Sequence, residues 1–409
     1  MLVSGVVGCL GFVEVVFSSV AVGLVSCGIG GYEVEGVSVG FLGWVMGALM
    51  VMGAWVVVSV GVGGGSSKEE VVMVVVGLMF CGGLFVASGW VTFLVFYEGS
   101  VFPLLVMILL SSGYYERLGS VYYLLVYTLG VSVPLFVYVV LSVGAGGLGV
   151  VGWHVVGSGV LMWLVGVAFL VKVPVYGVHG WLPKVHVEAP AWGSMLLAGV
   201  MIKMGVFGLW LVSWVGVSLG VMMFAYIMGG CVVCLSKCIM LTDLKQIVAY
   251  SSIVHMSMVI MVSLSGVGGG LSGSGWVMMF HGVVSMGLFL MVGGLSGKVG
   301  SRGMVLVSGV FSWGGWMCSV MLMLMVVNSA FPFSGNFIGE VVMYGVLVGL
   351  FSGLGVMILI MVLMGVVFNL VVMMVLVGRE GGLSGGWGIY GWGLGFYVML
   401  GVVLLGVLV

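Results

Sequence analysis

The chain has 409 residues, of which 63% are hydrophobic and 5% charged, with a formal net charge of −1 and a mean hydropathy of +1.43. No soluble core of this length needs so much apolar surface, and so small a net charge gives no hint of nucleic-acid binding. Apolar runs of about 20 residues, the length that crosses a hydrocarbon core, recur from end to end, so the chain reads as an all-α polytopic membrane protein. A β-barrel is excluded because the Val, Leu, Met and Gly runs do not alternate with polar residues.

In chain order the sequence predicts about thirteen spans, near 1–27, 38–62, 71–89, 91–112, 118–142, 155–180, 190–214, 217–236, 244–264, 270–296, 305–350, 352–377 and 387–409. Residues 1–27 already have spanning length and contain Glu14, so no cleavable targeting segment is expected there. Only Ser88-Gly89 marks the division between the third and fourth spans. The eleventh is too long for one crossing and contains Pro332, Gly335 and Gly339, which predicts a broken helix. Lys68, Arg117, Lys184, Lys237 with Lys245, Lys298 with Arg302, and Arg379 all fall in or beside even-numbered connections, and the odd-numbered ones carry no Lys or Arg. That segregation follows the positive-inside rule and places the N-terminus on the basic side. Thr242-Asp243 supplies an N-cap for the ninth span, and Glu69 and Glu70 suit the positive end of the third. Cys231, Cys234 and Cys238 lie on one face of an apolar helix with no histidine or carboxylate near them, which reads as buried thiols rather than a metal or redox site.

The stretch Leu170–Lys203 gathers Lys172, Lys184, Lys203, His179, His186, Glu188 and three prolines between apolar flanks. An ammonium at the bilayer centre costs about 2.5–3.5 kcal/mol even on the lenient insertion scale, so Lys172 and Lys203 are functional candidates. Pro174, two residues after Lys172, breaks the helix beside the charge, as in helices that line a hydrated path.

Six ionisable groups lie near mid-span, one each on spans four, six, seven, nine, ten and eleven: Glu98, Lys172, Lys203, His255, His281 and Glu340. Single groups at similar depth on different helices can form a row parallel to the membrane. Glu98 could instead be a helix-end carboxylate reaching the headgroups, and Lys172 could snorkel. Tyr176 and His179 on the same face argue for a polar lining beside Lys172. His255 follows Ser251 and Ser252 by one turn and His281 precedes Ser285 by one, so each histidine has hydroxyls at hand for an interhelical bond or a relay. His179, Lys184 and Glu188 are read as organising the turn between spans six and seven, and His154 as interfacial.

The block V-K-V-P-V-Y-G-V-H-G-W-L-P-K-V-H-V-E-A-P-A-W-G-S, followed by Lys203, closely resembles the subunit 4 family of NADH dehydrogenase, the antiporter-like, proton-pumping subunits of mitochondrial respiratory complex I. F-Y-E-G-S-V-F-P (96–103), T-D-L-K-Q-I-V-A-Y-S-S-I-V-H-M (242–256), H-G-V-V-S (281–285), S-R-G-M (301–304) and P-F-S-G-N-F-I-G-E (332–340) carry the same resemblance over about residues 90–345. The resemblance implies fourteen helices with two inverted repeats and one broken helix in each, so the thirteen-span count is read as lacking the family's first helix. Residues 1–70 are then N-terminal helices, 71–214 the first repeat, 215–350 most of the second and 351–409 C-terminal helices. By motif, Glu98 and Lys172 correspond to the family's carboxylate–lysine pair, Lys203 to its central lysine, His255 and His281 to its connecting histidines and Glu340 to its terminal carboxylate. The implied setting is the mitochondrial inner membrane, with the N-terminus on the matrix side and neighbouring antiporter-like subunits and lipid as partners. The implied NAD, FMN, iron–sulfur clusters and ubiquinone belong to other subunits, because this chain shows no motif for a cofactor or metal. A subunit of a multisubunit cation/proton antiporter is the alternative reading.

Overall fold

Hydrocarbon offers the backbone no hydrogen bonds, so a spanning segment must satisfy its own N–H and C=O groups, and helix is the local solution. A computed structural model of the chain describes residues 68–377 except 86, 88, 112–114, 147–158, 214–220, 305, 308–314 and 333, together with a few positions before 68. The helices are α1 (Lys68–Phe85), α2 (Trp90–Gly99), α3 (Val101–Ser111), α4 (Glu116–Leu125), α5 (Val133–Gly146), α6 (Gly159–Lys172), α7 (Trp181–Glu188) and α8 (Ala191–Leu196). They continue as α9 (Ile202–Ser213), α10 (Val221–Met240), α11 (Leu244–Leu264), α12 (Gly268–Val299), α13 (Gly315–Asn328), α14 (Gly335–Leu350) and α15 (Gly355–Val377). Seven helical stretches among the described residues are long and apolar enough to cross a membrane. The strand structure described is a two-residue antiparallel ribbon, Glu33–Val34 with Val37–Ser38, and an isolated bridge between Asp243 and Gly303. The chain is therefore an all-α, multi-pass membrane protein.

The helix boundaries between 68 and 377 follow the expected spans closely. The expected spans at 1–27 and 387–409, most of 38–62, and Glu14, His154 and Arg379 lie outside the described residues. The division at Ser88-Gly89 is present: α1 ends at Phe85, and extended Gly89 precedes α2. Two corrections concern helix starts and the first break. Asp243 occupies the N-cap position of α11, but its side chain makes no cap bond and instead accepts from Gln246 Nε2 at 3.0 Å. Residues 173–180 are turn rather than helix, so Tyr176 and His179 do not share a helical face with Lys172. They stack on each other through the turn instead, with ring centroids 5.3 Å apart.

Both expected breaks form, and each solves its backbone problem locally. Helix α6 stops at Lys172 because Pro174 has no N–H and biases Val173 away from helix. The Val171 carbonyl is taken by the Trp181 indole N–H at 3.1 Å. Gly177 turns the chain with φ of 100°, and a Cβ there would lie 2.8 Å from the Tyr226 hydroxyl. In the second break, Ala330 adopts φ of 51° before Pro332, and Ser334 caps α14 by accepting the Phe337 N–H at 3.3 Å.

Lipid tails are as apolar as the helices, so close packing rather than hydrophobic exclusion drives helix association. The segment Ala191–Val212, α11 and α12 lie at the centre, with 94%, 89% and 83% of their apolar stretches buried, against 28% for Ser352–Leu376. Small residues set the spacing. In α9, a Cβ on Gly205 would come within 2.4 Å of Val173 Cγ2 and 3.3 Å of the Val173 nitrogen. A Cβ on Gly208 would lie 2.4 Å from the Phe169 ring. These two glycines let α9 touch the backbone of the first broken helix. Gly205→Ala should therefore lower stability by about 1–3 kcal/mol, whereas Gly166→Ala, which meets no atom within 4 Å, should be neutral or slightly stabilising. Thermal unfolding of the detergent-solubilised variants measures the contrast.

Candidate functional site

Among the described residues three lysines are buried, and each is held by a backbone carbonyl. Lys172 is 4% exposed and donates to the Tyr97 carbonyl at 2.8 Å, with its ammonium 3.3 Å from the centre of the Tyr97 ring. Lys203 is fully buried and donates to the Ala198 carbonyl. Lys245 donates to the Ala189 carbonyl at 2.9 Å. Every one of these carbonyls sits where a helix is irregular. Tyr97 precedes the interruption at Ser100, Ala198 lies in a π-helical turn at Leu197–Met201, and Ala189 lies between α7 and α8. π turns widen a helix and are frequent at functional positions.

Glu98 follows Tyr97 directly, so Glu98 and Lys172 share one neighbourhood. No ion-pair contact of 4 Å or less joins them. Both Glu98 carboxylate oxygens are buried without a hydrogen-bond partner among the described residues. The Ser132 hydroxyl is close to Glu98 but donates to the Leu129 carbonyl at 2.9 Å. The expected carboxylate–lysine pair is thus adjacent and open.

On the other side of Lys203 the expected residues come together. His281 is 1% exposed and lies in the neighbourhood of Lys203 and His255. The His255 and His281 rings lie 4.9 Å apart. His255 Nδ1 is 3.0 Å from Glu340 Oε1, and the Tyr344 hydroxyl donates to Glu340 Oε2 at 3.0 Å. The serines do not serve the histidines. Ser251, Ser252 and Ser285 donate to the carbonyls of Val248, Ala249 and Gly282 in their own helices, because a serine in a helix reaches the preceding turn more easily than a neighbouring helix. Lys172 and Lys203 are linked by helix packing through Val173 and Gly205 rather than by direct contact.

A second charged group lies where the end of α7 and the start of α11 meet the segment after α12. Arg302 pairs with Glu188 at 3.1 Å, and the Leu244 N–H and Arg302 carbonyl bond at 3.2 Å. His179 does organise the first break, accepting the Gly177 N–H at Nδ1. Lys184 lies instead over the Tyr123 ring at 3.6 Å. Lys245 reads as a loop charge in the sequence, yet it is 6% exposed. Nothing in its immediate sequence gives that away, because it stands one residue inside a helix start. Tyr344 could have been found: it lies four residues after Glu340, the spacing that puts two side chains on one helix face. Cys231, Cys234 and Cys238 are buried free thiols. Among the described residues no group of three or more His, Cys, Asp or Glu could hold a metal ion.

The family described as NADH:quinone oxidoreductase/Mrp antiporter, TM, matches residues 87–369. The chain is similar to NADH-ubiquinone oxidoreductase chain 4 of Ceratitis capitata, 37% identical over 273 residues covering 63% of this chain and 59% of that one. It thus spans about three fifths of that relative's length. Among solved structures it resembles a chain of respiratory complex I from Thermus thermophilus with bound NADH, with a TM-score of 0.79 at 21% identity over 90% of this chain and 81% of that one. It also resembles a chain of the Mrp complex from a Dietzia species, with a TM-score of 0.77 at 14% identity over 99% and 89%. At these identities the structures speak for the fold.

The indole hydrogen bond from Trp181 to the Val171 carbonyl is one of the contacts that hold the break beside Lys172. Trp181→Phe removes the N–H donor and shrinks a fully buried ring, so it should cost at least about 1–3 kcal/mol, the unpaired Val171 carbonyl and the lost packing adding together. A lowered unfolding temperature in detergent, absent in a variant such as Trp163→Phe on the exposed face of α6, checks it.

Proposed function

Because the chain belongs to the NADH:quinone oxidoreductase/Mrp antiporter transmembrane family, with the family match covering residues 87–369, we propose that it moves protons across the mitochondrial inner membrane as a membrane subunit of NADH:ubiquinone oxidoreductase. The observation that carries this reading is the run Lys203, His281, His255 and Glu340, four titratable groups on four helices. A scaffold would have no use for them at that depth.

Lys172 and Glu98 form the switch in this reading. At about 4 Å and an effective dielectric near 20, a carboxylate is worth roughly 4 kcal/mol to an ammonium, about a thousandfold in proton affinity. Closing the pair tightens the lysine's hold on its proton, and opening it releases the proton towards Lys203. From there it passes through His281 and His255 to Glu340, and Lys172 reloads when the pair closes again. The open geometry, with the ammonium on the Tyr97 carbonyl, corresponds to the releasing state. The energy comes from quinone reduction in other subunits, which also hold the NAD, FMN and iron–sulfur sites.

The finer architecture is part of the same proposal. We read about thirteen spans, with residues 1–70 N-terminal, 71–214 and 215–350 as inverted repeats, 351–409 C-terminal, and the N-terminus on the matrix side. The two broken helices, α6–α7 and α13–α14, one in each repeat, support it. The likeness to a chain of an Mrp complex favours a second reading, a subunit of a multisubunit cation/proton antiporter. Co-purification with redox subunits separates the two.

Glu98→Gln and Lys172→Met should each lower protons moved per quinol formed while leaving the complex assembled. The measurement is a pH-sensitive dye signal in sealed vesicles supplied with NADH and a short-chain ubiquinone, with native electrophoresis for assembly. An unchanged ratio in both variants overturns the switch.

A further inference from the structure

Of the three buried lysines, Lys172 alone among the described residues lies over an aromatic ring; Lys203 and Lys245 are held by carbonyls. Its ammonium stands 3.3 Å from the centre of the Tyr97 ring, and the carbonyl of the same residue accepts from it at 2.8 Å. Face and carbonyl make one pocket near the end of α2. Glu98, the next residue, keeps both carboxylate oxygens buried without a hydrogen-bond partner among the described residues. The ammonium thus rests on a ring with a carboxylate next door.

The ring is braced from both helices. It stacks on Phe93, one turn earlier in α2, with centroids 5.5 Å apart and planes 20° from parallel. Phe169, three residues before Lys172 on α6, meets it edge-on at 5.5 Å and 88°, and meets Phe93 edge-on at 5.9 Å. A ring packed in this way cannot swing aside, so its electron-rich face stays turned to the lysine. Such a face attracts a desolvated ammonium less than a carboxylate does, and it leaves the charge in place. The Tyr97 hydroxyl, buried without a partner among the described residues, adds nothing to the hold.

We propose that Tyr97 is the positioning residue of the switch: its ring face draws the Lys172 ammonium off Glu98 and holds it in the open position. Lys172 then exchanges a carboxylate for an aromatic face and a carbonyl, not for bare hydrocarbon. With the face removed, the carbonyl alone competes with Glu98, and the lysine stays with the carboxylate. The ring therefore sets how readily the pair opens.

The inference rests on the switch reading, and the experiment separates the two. The assembled complex in sealed vesicles is driven with NADH and a short-chain ubiquinone, and protons moved per quinol formed are measured. Tyr97→Leu removes the face and keeps an apolar side chain, and Lys172→Met gives the ratio of a lost switch. Tyr138→Leu is the same change at another fully buried site, where the ring meets Trp90 instead of an ammonium. Tyr97→Leu should lower the ratio by about half the loss seen in Lys172→Met or more, because a ring is worth about half a carboxylate to a buried ammonium. Tyr97→Phe, which keeps the face, should restore the ratio, and Tyr138→Leu should leave it normal. A normal ratio in Tyr97→Leu with a lowered one in Lys172→Met overturns the role of Tyr97 and leaves the switch standing. Equal losses in Tyr97→Leu and Tyr138→Leu, or no recovery in Tyr97→Phe, assign the effect to packing and overturn it too. A normal ratio in Lys172→Met overturns the switch itself, and the role of Tyr97 falls with it. If Tyr97→Leu fails to assemble on native electrophoresis, Tyr97→Met, whose flexible side chain fills more of the space, is judged by the same outcomes.

Discussion

An ammonium surrounded by apolar helices must find oxygen within reach, and a backbone carbonyl, which keeps a second lone pair beside its helical bond, can supply it. Lys172, Lys203 and Lys245 all meet this constraint through a backbone carbonyl at an irregular point in a helix: Tyr97, Ala198 and Ala189. The irregularities therefore belong to the site.

The same economy explains why the breaks lie where they do. Pro174 ends α6 at Lys172, and the Val171 carbonyl it frees is recovered by Trp181. Pro332 and the left-handed Ala330 end α13, and Ser334 restarts the chain as α14. Glu340 then sits on the new helix, one turn from Tyr344, facing His255. Half-helices at depth are tolerated only inside protein, and glycines such as Gly205 and Gly339 bring neighbouring backbones close enough to enclose them.

Two kinds of contact hold the charged row. Ion-pair geometry is confined to its far end, where His255 and Glu340 lie 3.0 Å apart. At the near end Lys172 leans on a carbonyl and an aromatic face while Glu98 stands apart. A carbonyl holds an ammonium without neutralising it, and a carboxylate neutralises it. An arrangement that can exchange one for the other by side-chain motion has two states of different proton affinity, which a switch requires.

Much of this was legible in the residues. Hydropathy settled the helical membrane class, prolines marked both breaks, and the rarity of charge picked out Glu98, Lys172, Lys203, His255, His281 and Glu340, because one ionisable group in twenty apolar residues stands out without further context. Contacts between residues far apart in the chain were another matter. The burial of Lys245, the Glu188–Arg302 pair, the stacking of His186 on Phe289 and the open spacing of Glu98 from Lys172 depend on which helix faces which. In a chain that is apolar on nearly every face, periodicity carries little information about facing. That choice is made by close packing around glycines and broken turns, and it exists only once the helices have assembled.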